Sequence, residues 1–150
     1  MRVGGPSIRW TEEERLLAAA LALREEVFCD EQGVPPELEL DGRDSEASHL
    51  VAVDPASGEV LGTLRLLRED EAAKVGRVAV RRGFRRRGIA SEMLRMALER
   101  ARSEGCTRAR LAAQARATRV YEGVGFAIGS EPFLEAGIEH VWMGLELAWL

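Results

Sequence analysis

The chain has 150 residues, 46% of them hydrophobic, which suits one domain able to build its own core. Its 21 basic and 25 acidic residues give a net charge of -4. This balance argues against a protein that coats nucleic acids non-specifically, and it makes any basic cluster a local feature. Cys29 and Cys106 lie far apart without metal-ligand spacing, so we expect no metal site, and the lack of a signal-like or membrane-spanning stretch predicts a cytoplasmic protein.

The chain begins with a predicted strand and helix. Residues 7–10 have strand character, and Thr11 followed by Glu14 has the spacing of a helix capping box. Apolar residues then recur at helical spacing, which predicts a helix of roughly four turns that ends near Cys29. Arg24 is the one polar residue set into the apolar face, and we interpret it as a side chain that reaches solvent past its neighbours.

An acidic segment follows at residues 31–49. Glycine and proline interrupt regular structure there, and acidic side chains dominate the composition. Two interpretations remain open at this point. The segment is either a solvated loop or the lip of a functional site that would attract a cation.

The middle of the chain predicts an antiparallel meander. Residues 49–53 and 59–67 are β-prone and are separated at 54–58 by a turn that contains proline and glycine. A polar connection at 68–73 then leads to a third strand at 74–80.

A basic turn follows this third strand. Five arginines fall within seven residues, namely Arg81, Arg82, Arg85, Arg86 and Arg87. Gly88 then opens an amphipathic helix that Gly105 closes. The order of strand, basic turn and helix predicts an anion site, because the first N–H groups of a helix have no intrahelical partner and glycine lets the ligand approach them. Without a GxGxxG or P-loop pattern, the site suits a phosphate-bearing cofactor better than hydrolysed ATP.

The last third predicts two strands around a short helix, and then a final strand. Residues 107–113 form a strand that we expect to lie parallel to 74–80, because a helix crosses between them. Residues 116–122 form a short helix, and residues 126–130 and 140–147 form the final strand pair.

Several motifs together resemble the GNAT superfamily of N-acetyltransferases. The run Arg85-Arg86-Arg87-Gly88-Ile89-Ala90 is similar to its R/Q-x-x-G-x-G/A signature and follows a Val-Ala-Val strand, as it does there. The run Tyr121-Glu122-Gly123-Val124-Gly125-Phe126 is similar to the later Y-E-x-x-G-F segment, and Gln114 precedes it at the family's spacing. Segments 23–28, 31–35 and 133–143 resemble the ElaA-type branch.

The resemblance implies a single acetyltransferase domain over residues 1–150 that binds acetyl-CoA. Its fold would be of the mixed α/β (α+β) class, with a mostly antiparallel sheet of about six to seven strands, about four helices and one parallel pair splayed at the cofactor. The pyrophosphate would lie on the amides that follow Arg85, and the pantetheine arm would pair with the third strand as an added strand. The implied cofactor-binding residues are Val78, Ala79, Val80, Arg85, Arg86, Arg87, Gly88, Ile89, Ala90, Ser91, Gln114 and Tyr121.

Acetyl transfer to an amine also requires a proton acceptor and a donor for the leaving thiolate. Tyr121, the only tyrosine, stands where the family's general acid stands, and its alternative role is packing. Cys29 as a nucleophile is a rival mechanism. The candidate bases, among which the sequence does not decide, are His140, His49, Glu31 and Glu135.

The leading hypothesis is therefore an acetyl-CoA-dependent N-acetyltransferase that acts on a primary amine of a small molecule or peptide by direct attack. The acidic segment favours a cationic acceptor such as a polyamine, amino sugar or lysine side chain. The alternative is a catalytically silent acyl-CoA-binding regulatory or interaction domain. RNA binding is disfavoured by the net charge and the 5% aromatic content, and we expect no membrane partner. The chain would be a monomer or a homodimer, with Trp142 and Trp149 at a possible dimer edge.

Overall fold

The computed structural model describes residues 5–147. The strands are β1 (Ser7–Thr11), β2 (Ser48–Val53), β3 (Val60–Glu69), β4 (Ala72–Val80), β5 (Arg108–Gln114), β6 (Ala127–Ile128), β7 (Phe133–Glu135) and β8 (Ile138–Glu146). The α-helices are α1 (Glu14–Arg24), α2 (Pro36–Glu39), α3 (Ile89–Ser103) and α4 (Thr118–Gly123). A π-helix, Glu25–Glu31, continues α1, and short 3₁₀ turns lie at Asp44–Glu46 and Ala115–Ala117.

All of these strands belong to one mixed sheet. The strand order is β1-β2-β3-β4-β5-β8-β6, and β7 pairs with the first part of β8. Every neighbouring pair is antiparallel except β4 and β5, which are parallel because α3 crosses between them. The predicted mixed class, the meander and the parallel pair are therefore confirmed.

The parallel pair opens into a wedge. Pairing between β4 and β5 is confined to residues 72–74 and 108–110, and within residues 5–147 no strand pairs with the remainder of β4 on that side. At the opening, Arg77 and Val78 together oppose the single residue Leu64 of β3, and Arg77 has a φ of 54°. This β-bulge bends the strand and leaves its edge free for a ligand.

Two apolar layers hold the sheet. Met93, Leu94 and Ala97 of α3 are fully buried against one face, as the amphipathic pattern predicts. Leu16 and Leu23 of α1 are buried against the other face. Each buried aliphatic side chain of this size contributes about 1.5–3 kcal/mol, so these faces set the position of the elements around the wedge.

The structure corrects one local prediction and adds detail to two others. Thr11 is not a helix cap: it lies in β1, the N-cap of α1 is Glu13, and the Thr11 hydroxyl accepts the Glu13 N–H at 3.0 Å. The helical run ends close to the predicted Cys29, because the π-helix continues α1 to Glu31. Residues 131–139, between the two predicted final strands, contain the further strand β7 and its turn into β8.

Trp149 lies outside the described residues. None of the helices within residues 5–147 is long and apolar enough to cross a membrane.

Candidate active site

A cavity of about 430 Å³ occupies the wedge. β4 and β5 form its floor, through residues such as Gly76, Val78 and Gln114. Its roof comes from the π-helix and α2, through residues such as Phe28 and Glu39. A cavity of this size suits a small ligand, and it lies where β4 and β5 part.

The turn before α3 directly follows β4, whose residues 74–78 line the cavity, and it has unpaired amides. Within the described chain, none of the N–H groups from 85 to 91 donates to a backbone carbonyl or a side chain, whereas the flanking N–H groups of Phe84 and Glu92 donate to Arg81 and Gly88. Arg86 and Gly88 have φ values of 64° and 83°, which turn successive amides towards the same side. These orphaned donors at the start of a helix fit an anion such as a pyrophosphate.

The arginines of the turn have different roles. Arg85 braces the turn, because its Nε donates to the Val80 carbonyl at 2.8 Å and its terminal nitrogen binds Glu31 at 2.9 Å. Arg86 and Arg87 are exposed, and the Arg87 guanidinium lies 5.1 Å from the Phe84 ring centroid. The exposed pair is therefore available to an anion, while Arg85 is already engaged.

Not every residue of the implied cofactor set offers its side chain. The side chains of Ala79 and Ile89 are buried in the core, so only their backbone groups can face a ligand. Val78 and Gln114 line the cavity directly. The Gln114 side-chain amide donates to Gln32 at 2.7 Å, which ties β5 to the end of the π-helix across the wedge.

Tyr121 lines the cavity from α4. Its ring packs edge-on against Phe126 with centroids 6.5 Å apart. Burial raises the pKa of the Tyr121 phenol to about 12. The hydroxyl therefore keeps its proton at neutral pH and is a hydrogen-bond donor, but it is a weaker acid than an ordinary phenol.

His140 and Glu135 form a pair in the cavity wall. His140 Nδ1 lies 2.7 Å from the Ile138 carbonyl, and because a carbonyl only accepts, Nδ1 carries the proton. Nε2 of the neutral ring is then a free proton acceptor, and it lies 4.0 Å from a Glu135 carboxylate oxygen. The His140 ring is buried and stacks on Phe133. A carboxylate beside the acceptor nitrogen would stabilise the imidazolium ion.

The other candidate catalytic residues lie elsewhere. Glu31 is bound to Arg85 and does not line the cavity, and His49 Nε2 lies 2.9 Å from the Asp44 carbonyl in a separate groove. Cys29 also lies outside the cavity lining, and burial with neighbouring carboxylates raises the pKa of its thiol, which disfavours a thiolate nucleophile. Among residues 5–147 no three His, Cys, Asp or Glu side chains group closely enough to hold a metal ion.

A buried ion-pair network holds the acidic segment over the sheet. Arg24 is 2% exposed, and it binds Glu39 at 2.8 Å and Asp44 at 2.7 Å. The interpretation of Arg24 as a solvent-reaching side chain is therefore wrong. Its position on the apolar face of α1 is what buries it, and the acidic segment supplies the carboxylates that make burial tolerable.

Two further arginines complete the network. Arg65 of β3 binds Asp41 and Asp44, and Arg77 at the bulge binds Glu39 at 2.7 Å. Sequence reasoning did not single out either residue. Arg65 did leave a signal, since it is a lone charge inside an apolar strand. The carboxylates that face the cavity from this segment are already paired, so the segment is neither a free solvated loop nor a lip with spare negative charge.

Comparison with known proteins agrees with this geometry. A model of the acetyltransferase (GNAT) family matches residues 12–126. The uncharacterized N-acetyltransferase YjcF of Bacillus subtilis is 35% identical over 134 residues, which cover 88% of this chain and 94% of YjcF.

Solved structures show the same fold. An acyl-CoA N-acyltransferase from Pseudomonas aeruginosa superposes with a TM-score of 0.80 at 32% identity, covering 92% of this chain and 99% of that one. Escherichia coli ElaA superposes with a TM-score of 0.82 at 26% identity, covering 92% and 98% of the two chains.

Proposed function

The chain belongs to the GNAT acetyltransferase family, and we propose that it transfers an acetyl group from acetyl-CoA to a primary amine of a small molecule or peptide. One observation carries the proposal: the turn with unpaired amides directly follows β4, and β4 lines a wedge-shaped cavity that Tyr121 and the His140–Glu135 pair also line. The relative named as an acyl-CoA N-acyltransferase supports the choice of an acyl-CoA donor.

The cofactor would be held by backbone more than by side chains. The amides of residues 86–90 would bind the pyrophosphate, and the exposed Arg86 and Arg87 would add charge-assisted contacts to phosphate oxygens. The free edge of β4 from Val78 to Val80 would pair with the amides of the pantetheine arm. When bound, the cofactor supplies an acetyl thioester that the amine attacks directly, so that a carbon–nitrogen bond forms as the carbon–sulfur bond breaks.

His140 would act as the base. An alkylammonium has a pKa of about 10, so the acceptor must lose a proton before it can attack. Nε2 of His140 has the required lone pair, because the Ile138 carbonyl fixes the proton on Nδ1. The Glu135 carboxylate would stabilise the positive charge that the ring acquires. Glu31 is not assigned this role, because Arg85 holds its carboxylate.

Tyr121 would serve the leaving sulfur as a hydrogen-bond donor. A phenol with a pKa of about 12 would donate a hydrogen bond to a thiolate of ordinary pKa ~8.5 without giving up its proton completely. A backbone N–H of the β4 bulge, at Val78, would polarise the carbonyl oxygen that gains negative charge.

Calorimetric titration with acetyl-CoA, followed by an amine panel read out as released thiol, tests the proposal. We expect micromolar cofactor binding and turnover with at least one amine. His140→Gln should lower kcat by about 10²–10⁴-fold without changing the Kd for acetyl-CoA. His49→Gln is the matched control and should leave both values unchanged, because His49 lies outside the cavity. Cofactor binding without turnover of any amine would favour the silent acyl-CoA-binding domain instead.

A further inference from the structure

We propose that the acceptor amine carries a carboxylate at its far end and that Lys74 binds this carboxylate. The inference rests on the proposed function, because it names the class of acceptor that the same cavity takes. Lys74 is the only lysine in the chain, and it lines the cavity from β4.

The charges around the cavity single out Lys74. Arg65 and Arg77 are matched by Glu39 and Asp41, to which they are bound. Two groups are then left over among the charged residues that line the cavity: the Lys74 ammonium and the Glu135 carboxylate beside His140. Within residues 5–147, Lys74 has no carboxylate at ion-pair distance, although it acts on Glu69 through space.

The surroundings of Lys74 add positive charge. Lys74 pairs in register with Arg110 of β5, and both cations lie over the Trp142 ring, the ammonium 5.5 Å and the guanidinium 4.3 Å from its centroid. The carboxylate they share is Glu69, which is 3.7 Å from Arg110 and already binds Arg43 at 2.9 Å. This end of the cavity therefore has spare positive charge and an apolar ring beside it.

The other end of the acceptor site carries negative charge, from Glu135. Glu135 and His140 form a place where an ammonium can dock and lose its proton. His140 and Trp142 are two residues apart on β8, about 7 Å, so the imidazole and the Lys74 ammonium lie on the order of 10 Å apart. An α-amino acid is too short to reach both groups. An ω-amino acid of about four to eight carbons, whose ends lie roughly 6–11 Å apart when extended, can bridge the two groups once the hydrogen bond at each end is counted. A single unpaired ammonium suits a monoanion.

This arrangement reverses the preference that the acidic segment suggested. A polyamine would bring a second ammonium next to Lys74, where like charges repel. The carboxylates of the acidic segment that could have bound this second ammonium are already bound to arginines. The cavity therefore selects against a dication and for an amine that bears an anion.

The single lysine gives a direct binding test that needs no turnover. Protein labelled with carbon-13 at the lysine ε position shows one side-chain resonance, that of Lys74. We expect titration with ω-aminooctanoate to shift this resonance and the matched ω-aminooctanamide, which lacks the negative charge, to leave it unchanged. An unmoved resonance with the acid, or equal shifts with acid and amide, would overturn the proposal.

Steady-state kinetics with three acceptors of one length provides the second test. The wild type should prefer ω-aminooctanoate to ω-aminooctanamide and diaminooctane by about 10- to 100-fold in kcat/KM. Lys74→Met should remove this preference and Lys74→Arg should keep most of it, with the acetyl-CoA Kd unchanged in both. Arg95→Met removes one cation from the exposed face of α3 and is the matched control, which should behave as the wild type.

The outcomes separate the two proposals. Equal turnover of acid and amide, with Lys74→Met unchanged, would overturn the role of Lys74 and leave the acetyltransferase function standing. No turnover of any amine would overturn the proposed function and this inference with it. An acetyl group found by mass spectrometry on Lys74 itself would also overturn the inference, because the lysine would then be an acceptor rather than an anchor.

Discussion

Replacing Arg24 by methionine should destabilise the fold far more than the loss of a surface arginine. Arg24 is 2% exposed and donates four hydrogen bonds, two to Glu39 and two to Asp44. Methionine keeps much of the apolar stem but removes every donor. Two carboxylates that the fold has desolvated then each lose a partner.

The expected loss is about 3 kcal/mol in the free energy of unfolding. Removing one partner of a buried ion pair costs about 3–5 kcal/mol, because the remaining charge stays buried without compensation. The low end applies here, since Glu39 keeps Arg77 and Asp44 keeps Arg65.

Urea unfolding followed by circular dichroism measures this difference, with Arg102→Met as the matched control. Arg102 binds Glu99 at 3.0 Å on the exposed side of α3, with side chains 43% and 70% exposed, so its loss should cost less than about 0.5 kcal/mol. An Arg24→Met protein as stable as the Arg102→Met protein would refute the reasoning. That result would mean that the Arg24 side chain is solvated, as a simple amphipathic interpretation of α1 would have it.

Three further predictions concern single residues. The hydrogen bond from Arg65 holds the pKa of Asp41 well below its usual range. The ionised Asp41 carboxylate therefore stabilises the fold above its unfolded pKa of about 3.9, and this stabilisation is lost as pH falls through the folded pKa. Urea unfolding at stepped pH should show that Asp41→Asn is less stable than the wild type at neutral pH and that its stability depends less on acid. Burial raises the pKa of Tyr121 to about 12, so its contribution to stability is present below the unfolded pKa of about 10 and is lost as pH rises through the folded pKa. Because Tyr121 is the only tyrosine, the phenolate absorbance of the folded protein should rise near pH 12. A rise in the folded protein at the same pH as in the denatured protein would contradict this prediction. In Gly88→Ala the added Cβ contacts no other atom, but alanine is forced to a φ of 83°. The variant should lower the free energy of unfolding by about 1 kcal/mol in thermal or urea unfolding, and it should weaken acetyl-CoA binding. The control Gly123→Ala does not require a positive φ and should be neutral or stabilising.

The parts of the fold that the sequence predicts are those set by neighbouring residues. Apolar residues at helical spacing place α3, and Gly88 marks its start because the backbone there needs a positive φ. The parallel pairing of β4 with β5 also follows, because a helical crossover between strands leaves little choice of direction. The misplaced cap at Thr11 shows the limit of such rules, since pairing of β1 with β2 draws that residue into the sheet.

The charged interior could not be predicted in the same way. Arg24 stands on a buried face in any reading of α1, but whether it is solvated or paired depends on carboxylates 15 and 20 positions away. The pairing of His140 with Glu135 likewise depends on β7, a strand too short and too exposed to leave a periodic pattern. Burial of an ion is decided by long-range partners, and composition does not reveal them.

By itself the sequence determined the frame of this protein: a meander, a basic turn at the start of a helix and the parallel strand beyond that helix. These features follow from spacing and turn chemistry within a few residues, which any fold of the chain must respect. Only the tertiary structure decided which charges remain free. It pairs Glu39, Asp41 and Asp44 with Arg24, Arg65 and Arg77. Within residues 5–147 it leaves Lys74, which lines the cavity, without a carboxylate at ion-pair distance. The balance of charge in a cavity is a sum over distant segments, and it exists only once the chain has folded.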